Sequence, residues 1–167
     1  NACSSPQLIL WKNDSEEARE RFWTAAENYA AGRYRIQAAS SVDKLTQACE
    51  DAIRFPEVAR VKRNGNLLYR AELQKLPEEG LENLRGRCGY FYESPIGNFD
   101  ALSHLVSEKF QTLLYFGAEY EELKHFVIDN KLRGIDRIVP IGKAMDIGPV
   151  WDGYDILIML SRVISNQ

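Results

Sequence analysis

The order of elements in the last third of the chain constrains the fold more than any other feature. Gln111-Thr112-Leu113-Leu114-Tyr115-Phe116 is an apolar run of strand length, residues 119–130 carry helical spacing, and Arg137-Ile138-Val139-Pro140-Ile141 is a second strand. Asp152 stands where it can cap a final helix over residues 154–164. Short apolar runs alternating with longer amphipathic stretches read as strand–helix–strand units. Strands joined through a helix run parallel, and the crossover is right-handed.

The first two thirds read in the same way, with one interruption. Gln7-Leu8-Ile9-Leu10-Trp11 is a buried strand, and Asn13-Asp14-Ser15 ahead of Glu16 and Glu17 starts a helix that places acids at its positive end. That helix carries Phe22, Trp23, Ala26, Tyr29 and Ala30 and stops at Gly32. A second helix over residues 41–55 puts Val42, Leu45, Ala48, Cys49, Ala52 and Ile53 on one face, which is expected to be buried, and Pro56 closes it. Asn64-Gly65 then predicts the two-residue turn of a β-hairpin. Residues 87–93 form a strand broken by Ser94-Pro95, and Asn98 caps a short helix through residue 106. The expected fold class is α/β: a mainly parallel open sheet flanked by helices, with one hairpin near Asn64-Gly65, as a single domain over residues 1–167.

Composition narrows the function classes. The net charge is −3 with both signs interspersed, so the clustered basic face of a nucleic-acid binder is not expected. The longest apolar run, Ile156-Leu157-Ile158-Met159-Leu160, falls far short of the roughly 20 residues a membrane span needs. No secretory leader pattern opens the chain. The cysteines are Cys3, Cys49 and Cys88, without a Cys-x-x-Cys pair, and only His104 and His125 could add imidazole ligands. Neither a metal site nor a disulfide framework is therefore expected, and a cytoplasmic setting is. A start at Asn1 rather than Met leads us to expect further sequence upstream, with Asn1-Ala2 either native or left from a tag.

Cys3 is the residue on which chemistry could turn. It stands in Asn1-Ala2-Cys3-Ser4-Ser5-Pro6-Gln7, a small polar loop just before a strand. Nearby backbone N–H groups can favour the thiolate there, and the thiolate is the form that takes an acyl group from a thioester. Cys49 is expected in the core, and Cys88, alternating with Tyr90 and Tyr92, in strand packing. His104 and His125 are expected on helices, where either could act as a base for Cys3 only within hydrogen-bond reach. Gly86-Arg87-Cys88-Gly89 and the stretch between Gly142 and Gly148 do not match a phosphate-cradling loop.

The segment Asn1-Ala2-Cys3-Ser4-Ser5-Pro6-Gln7 resembles the catalytic-cysteine segment of the long-chain acyl-CoA reductases, which include the reductase subunit of the fatty acid reductase complex of luminous bacteria. A second stretch is similar to the carboxyl-terminal pattern of the same family: Arg133-Gly134-Ile135-Asp136-Arg137-Ile138-Val139-Pro140-Ile141-Gly142, then Trp151-Asp152-Gly153-Tyr154-Asp155 and Leu160-Ser161-Arg162. The two stretches occur in the right order and together touch about a quarter of the chain. The family belongs to the aldehyde dehydrogenase superfamily. The resemblance therefore implies a catalytic domain preceded by a nucleotide-binding domain absent from this chain.

It also implies NADPH-dependent reduction of fatty acyl-CoA, or of acyl groups delivered by an acyl-protein synthetase partner, to long-chain aldehyde. Cys3 would be the acylated nucleophile, and its own backbone N–H an oxyanion donor. The superfamily's Glu-x-Phe-Gly-Pro pattern, whose glutamate touches the nicotinamide ribose, is replaced here by Tyr92-Glu93-Ser94-Pro95, leaving Glu93 as the cofactor-side candidate. Full-length protein is expected to be oligomeric, and this portion alone inactive. Two alternatives stay open: a binding or oligomerisation domain without chemistry, and a Cys–His thioesterase using His104 or His125.

Overall fold

A computed structural model describes residues 5–12, 15–162 and 164. The chain forms two compact units, residues 1–101 and 102–167. The first contains β1 (Leu8–Lys12), α1 (Glu16–Arg33), α2 (Ala38–Arg54), β2 (Val58–Asn64), β3 (Leu68–Leu73) and β4 (Tyr90–Ile96). Its four strands lie in the order β1-β4-β3-β2. β1 and β3 both run parallel to β4, and β2 returns antiparallel to β3. The fold is α/β with a mixed, mostly parallel sheet.

Side chains alternate across a strand, so the register sorts the sheet into two faces. Tyr69 pairs with Tyr90 and Ala71 with Tyr92, so these residues share one face with Ser94. Arg70 pairs with Phe91 and Glu72 with Glu93, which puts these on the other face with Trp11, the partner of Pro95. α1 lies on the second face: Trp23 sits 5.5 Å from the Phe91 ring, and Glu20 pairs with Arg70. α2 lies on the first, where Asp51 meets Tyr90 and Tyr92. One helix on each side closes the sheet.

α1 begins as its sequence foretells, with the Ser15 hydroxyl accepting from the Ala18 N–H at 3.1 Å and Glu16 and Glu17 in its first turn. It passes Gly32 and ends at Arg33. α2 corrects an expectation. Its buried residues are Lys44 and Asp51, while Val42, Leu45, Cys49 and Ile53 are exposed. Polar side chains face the sheet here because the tyrosine hydroxyls and backbone carbonyls beneath them need partners, and a buried polar group without one is costly.

Two local features also differ from the sequence pattern. The hairpin between β2 and β3 pairs Asn64 with Leu68, so its loop has three residues, 65–67, and not two. β4 runs straight through Ser94-Pro95 to Ile96. Pro95 is tolerated because β4 pairs with β3 only as far as Glu93, so no strand flanks that side at the proline.

In the second unit β5 (Thr112–Tyr115) and β6 (Arg137–Pro140) are parallel and joined through α3 (Tyr120–Asp129), as the strand–helix–strand order requires. α3 buries Leu123 and Phe126, three residues apart on one face. The end of the unit departs from expectation. Asp152 does not cap a helix; Asp152 (φ +49) and Gly153 (φ +80) turn a hairpin between β7 (Val150–Trp151) and β8 (Tyr154–Asp155). Positive φ at both central residues is the type I′ geometry that Asp-Gly favours. Asp155 takes the capping role, accepting from the Ile158 N–H at 3.0 Å, for the short α4 (Ile156–Leu160). No helix among the described residues is long and apolar enough to cross a membrane.

Candidate functional site

Cys3 lies outside the described residues. The strand after it is well anchored. The Gln7 carbonyl accepts from the Tyr92 N–H at 3.4 Å, and β1 then pairs with β4 from Leu8 opposite Tyr92 to Lys12 opposite Ile96. Lys12 Nζ rests 4.2 Å from the centre of the Phe99 ring. β1 is thereby tied to a strand in the middle of the sheet.

Glu93, the cofactor-side candidate, sits within that middle strand and is 1 % exposed. Its Oε2 accepts from the indole N–H of Trp11 at 2.7 Å and of Trp23 at 2.8 Å, while Oε1 accepts from Arg70 Nε at 3.0 Å. A carboxylate has about four lone-pair directions, and three are taken here. Glu93 therefore joins β1, α1 and β3 to β4. At 1 % exposure it could meet a ribose hydroxyl only if the packing around it opened.

The charges continue outward from Glu93. Arg70 Nη1 donates to both Glu20 oxygens at 3.1 and 3.0 Å, and its guanidinium stacks 4.8 Å from the Trp23 ring. Lys62 bridges Glu20 at 3.0 Å and Glu72 at 2.9 Å, and Arg60 pairs with Glu72. Glu20, Trp23, Lys62 and Arg70 line, with Asn64 and others, a cleft of about 440 Å³. Hydrogen bonds from Arg70 and Lys62 hold the Glu20 carboxyl down at about 2. Burial pushes Glu72 up, but Arg60 and Lys62 outweigh it and leave its carboxyl lowered.

A pH dependence arises from Glu20. Its folded-state pKa of about 2 lies below the ordinary 4.5, so its stabilisation is present above that ordinary value and is lost as pH falls from there through about 2. The side chain is 45 % exposed, so solvent screens part of the effect. Glu20→Gln is expected to lower the urea midpoint at neutral pH and to flatten its decline on the acid side, measured as midpoints against pH.

The opposite face holds a second polar cluster. Asp51 Oδ2 accepts from the Tyr90 hydroxyl at 2.7 Å and the Tyr92 hydroxyl at 2.6 Å, and Gln47 donates to the Tyr92 oxygen at 3.0 Å. Burial first, and the Asp51 carboxylate second, push both phenols upward. Lys44 Nζ donates to the Asn66 carbonyl and, at 2.9 Å, to that of Leu67. Burial lowers its pKa, and the nearby Cys88 works against that. The Leu67 carbonyl would lie 2.5 Å from a Cβ at residue 89, and φ there is +87, so glycine is required at Gly89.

The remaining sequence candidates fall in both units. Cys49 is exposed on α2, not in the core. Cys88 is half-buried at φ +54 in the turn that leads into β4, not in the strand, and interacts with the Tyr34 hydroxyl. Both histidines lie outside the buried core. His125 stands on α3, and His104 on a turn rather than a helix. In the second unit Arg137 lies 4.1 Å over the Trp151 ring and donates to the Ala144 and Asp146 carbonyls. A Cβ at Gly153 would meet the Asp136 carboxyl at 3.0 Å. Residues of the carboxyl-terminal pattern are thus in contact with one another.

Sequence pattern alone missed Asp51, Lys44, Arg70, Glu20 and Glu72. The one usable sign was alternation: Arg60 and Lys62 on β2, Arg70 and Glu72 on β3, each pair on one face of its strand. No group of histidine, cysteine or acidic residues suited to a metal ion occurs among the described residues. No family model, curated protein or solved structure matches the chain.

Proposed function

We propose that this chain is the acyl-accepting part of a long-chain acyl-CoA reductase of the aldehyde dehydrogenase superfamily, with Cys3 as its nucleophile. The observation that carries the reading is the Cys3-Ser4-Ser5-Pro6-Gln7 segment leading into an anchored strand: the Gln7 carbonyl is held by Tyr92, four residues after the cysteine. A nucleophile needs fixed geometry relative to its substrate, and a short tether to a sheet favours it. The approach of Arg137 to Trp151 and of Gly153 to Asp136 adds support, because it brings two separated parts of the second stretch of resemblance together.

In this reading the Cys3 thiolate attacks the thioester carbonyl carbon. A new carbon–sulfur bond forms, the bond to coenzyme A breaks, and the coenzyme A thiolate leaves and takes up a proton. The Cys3 backbone N–H would steady the oxyanion in between. NADPH is the reductant the resemblance implies; Glu93, the one residue marked for its ribose, is poorly suited to that contact because it is buried and accepts from Trp11, Trp23 and Arg70. The step proposed for this chain's own residues is acyl transfer. Fatty acyl-CoA, or an acyl group passed on by an acyl-protein synthetase, is the proposed donor. In the native protein, Cys3→Ala is expected to abolish acyl-CoA-dependent aldehyde formation, followed as NADPH oxidation. Undiminished turnover would refute the assignment.

A further inference from the structure

Two stretches of this net-acidic chain contain no acid, and each carries two arginines. Residues 28–42 include Arg33 and Arg35, and residues 83–92 include Arg85 and Arg87. The fold joins the two stretches, because the Tyr34 hydroxyl is hydrogen-bonded with the Cys88 side chain. The turn that bears Cys88 is fixed from several sides. Gln47 of α2 donates to the Arg85 carbonyl at 3.0 Å. The Arg87 carbonyl accepts from the Tyr90 N–H at 3.0 Å, and the Gly89 carbonyl from the Tyr69 N–H at 2.9 Å. A Cβ at Gly86 would lie 1.8 Å from the Tyr90 carbonyl oxygen, so only glycine lets the chain fold this tightly between Arg85 and Arg87.

All four arginines are exposed. Arg33 lies over the Tyr29 ring and Arg85 Nε donates to the Glu82 carbonyl, while Arg35 and Arg87 have no acidic partner among the described residues. Guanidinium groups gathered in this way repel one another, and an anion among them relieves the repulsion. Their planar donors match phosphate oxygens in two-pronged contacts. The backbone of residues 86–89 is not a phosphate cradle, so the side chains supply the charge. The place also suits a substrate of Cys3. β1 and β4 are adjacent and parallel, so Ser5-Pro6-Gln7, which leads into β1, and the arginine-bearing turn, which leads into β4, stand at the same end of the sheet.

We propose that Arg35, Arg85 and Arg87 bind the phosphate groups of the coenzyme A thioester that donates the acyl group. The inference rests on the acyl-transfer reading, and its test separates the two. The native protein is titrated calorimetrically with coenzyme A and with NADPH, and acylation of Cys3 is followed without reductant from fatty acyl-CoA and from the matching acyl-pantetheine, which has the thioester but no phosphate. Arg35→Ala and Arg87→Ala are each expected to raise the Kd for coenzyme A about tenfold, as loss of a charge-assisted hydrogen bond does. Half-maximal acylation should then need correspondingly more acyl-CoA, while NADPH binding, acylation from acyl-pantetheine and the urea midpoint stay unchanged. Arg87→Lys should recover part of the affinity. An unchanged Kd for coenzyme A in both variants, a loss confined to NADPH, or an equal loss with acyl-pantetheine would overturn the proposal. Arginine-dependent binding of coenzyme A without an acyl group on Cys3 would uphold this site and sink the acyl-transfer reading instead.

Discussion

Glu93→Ala is expected to destabilise the protein by about 3–5 kcal/mol, as removal of one partner from a buried ion pair does. The carboxylate accepts from two indole N–H groups and from Arg70, and all of them are left facing a cavity when it goes. Arg70 keeps Glu20 as a partner, so the guanidinium is not stranded altogether, which favours the lower end of the range. Each indole N–H depends on the Glu93 carboxylate, and Trp23 is buried. Glu93→Gln should cost less, because an amide oxygen still accepts from an indole while the charge that Arg70 meets is gone. Denaturant midpoints at constant slope read both effects, and a loss within about half a kcal/mol for Glu93→Ala would contradict the account.

Asp51→Ala is expected to cost about 2–4 kcal/mol, since two buried hydroxyls lose one shared acceptor and each unmet group costs roughly 1–3. Tyr90 and Tyr92 lie beneath α2, with their rings 5.3 Å apart, so the vacated space cannot readily admit new partners. Gln47 still donates to the Tyr92 oxygen, but it supplies no acceptor to either hydroxyl in that contact. Asp51→Asn keeps an amide oxygen and should recover about half of the loss. Because α2 is anchored by this residue, hydrogen exchange along α2 should accelerate more than exchange in α1, and equal acceleration would argue against the anchoring role.

Local pattern carried much of the fold. β1, β5, β6 and α3 follow from apolar runs and helical spacing, and the β5–α3–β6 order dictated a parallel pair. It failed where distant partners decide. The stripe on α2 has the periodicity of a buried face, yet Lys44 and Asp51 on the other side find acceptors and donors on β4 and on the hairpin loop, and those contacts win. Pro95 reads as a strand breaker until it is known that β4 has already parted from β3 beside it. Asp152-Gly153 reads equally as a helix cap or a turn, and pairing of Trp151 with Tyr154 selects the turn.

The site was legible only in outline. Glu93 stood out within Tyr92-Glu93-Ser94-Pro95, but its donors are separated from it by 82, 70 and 23 residues, and no local spacing encodes them. The charge chain from Glu93 through Arg70 to Glu20 and Lys62 joins three strands and a helix, so it becomes visible only when the register is known.

Trapping the native protein with fatty acyl-CoA in the absence of reductant, and mapping the added acyl mass by peptide, tests the central claim most directly. The account predicts one hydroxylamine-labile acyl group on the peptide containing Cys3, with those of Cys49 and Cys88 unmodified. An acyl group on either of the other two cysteines, or none on any, would contradict it.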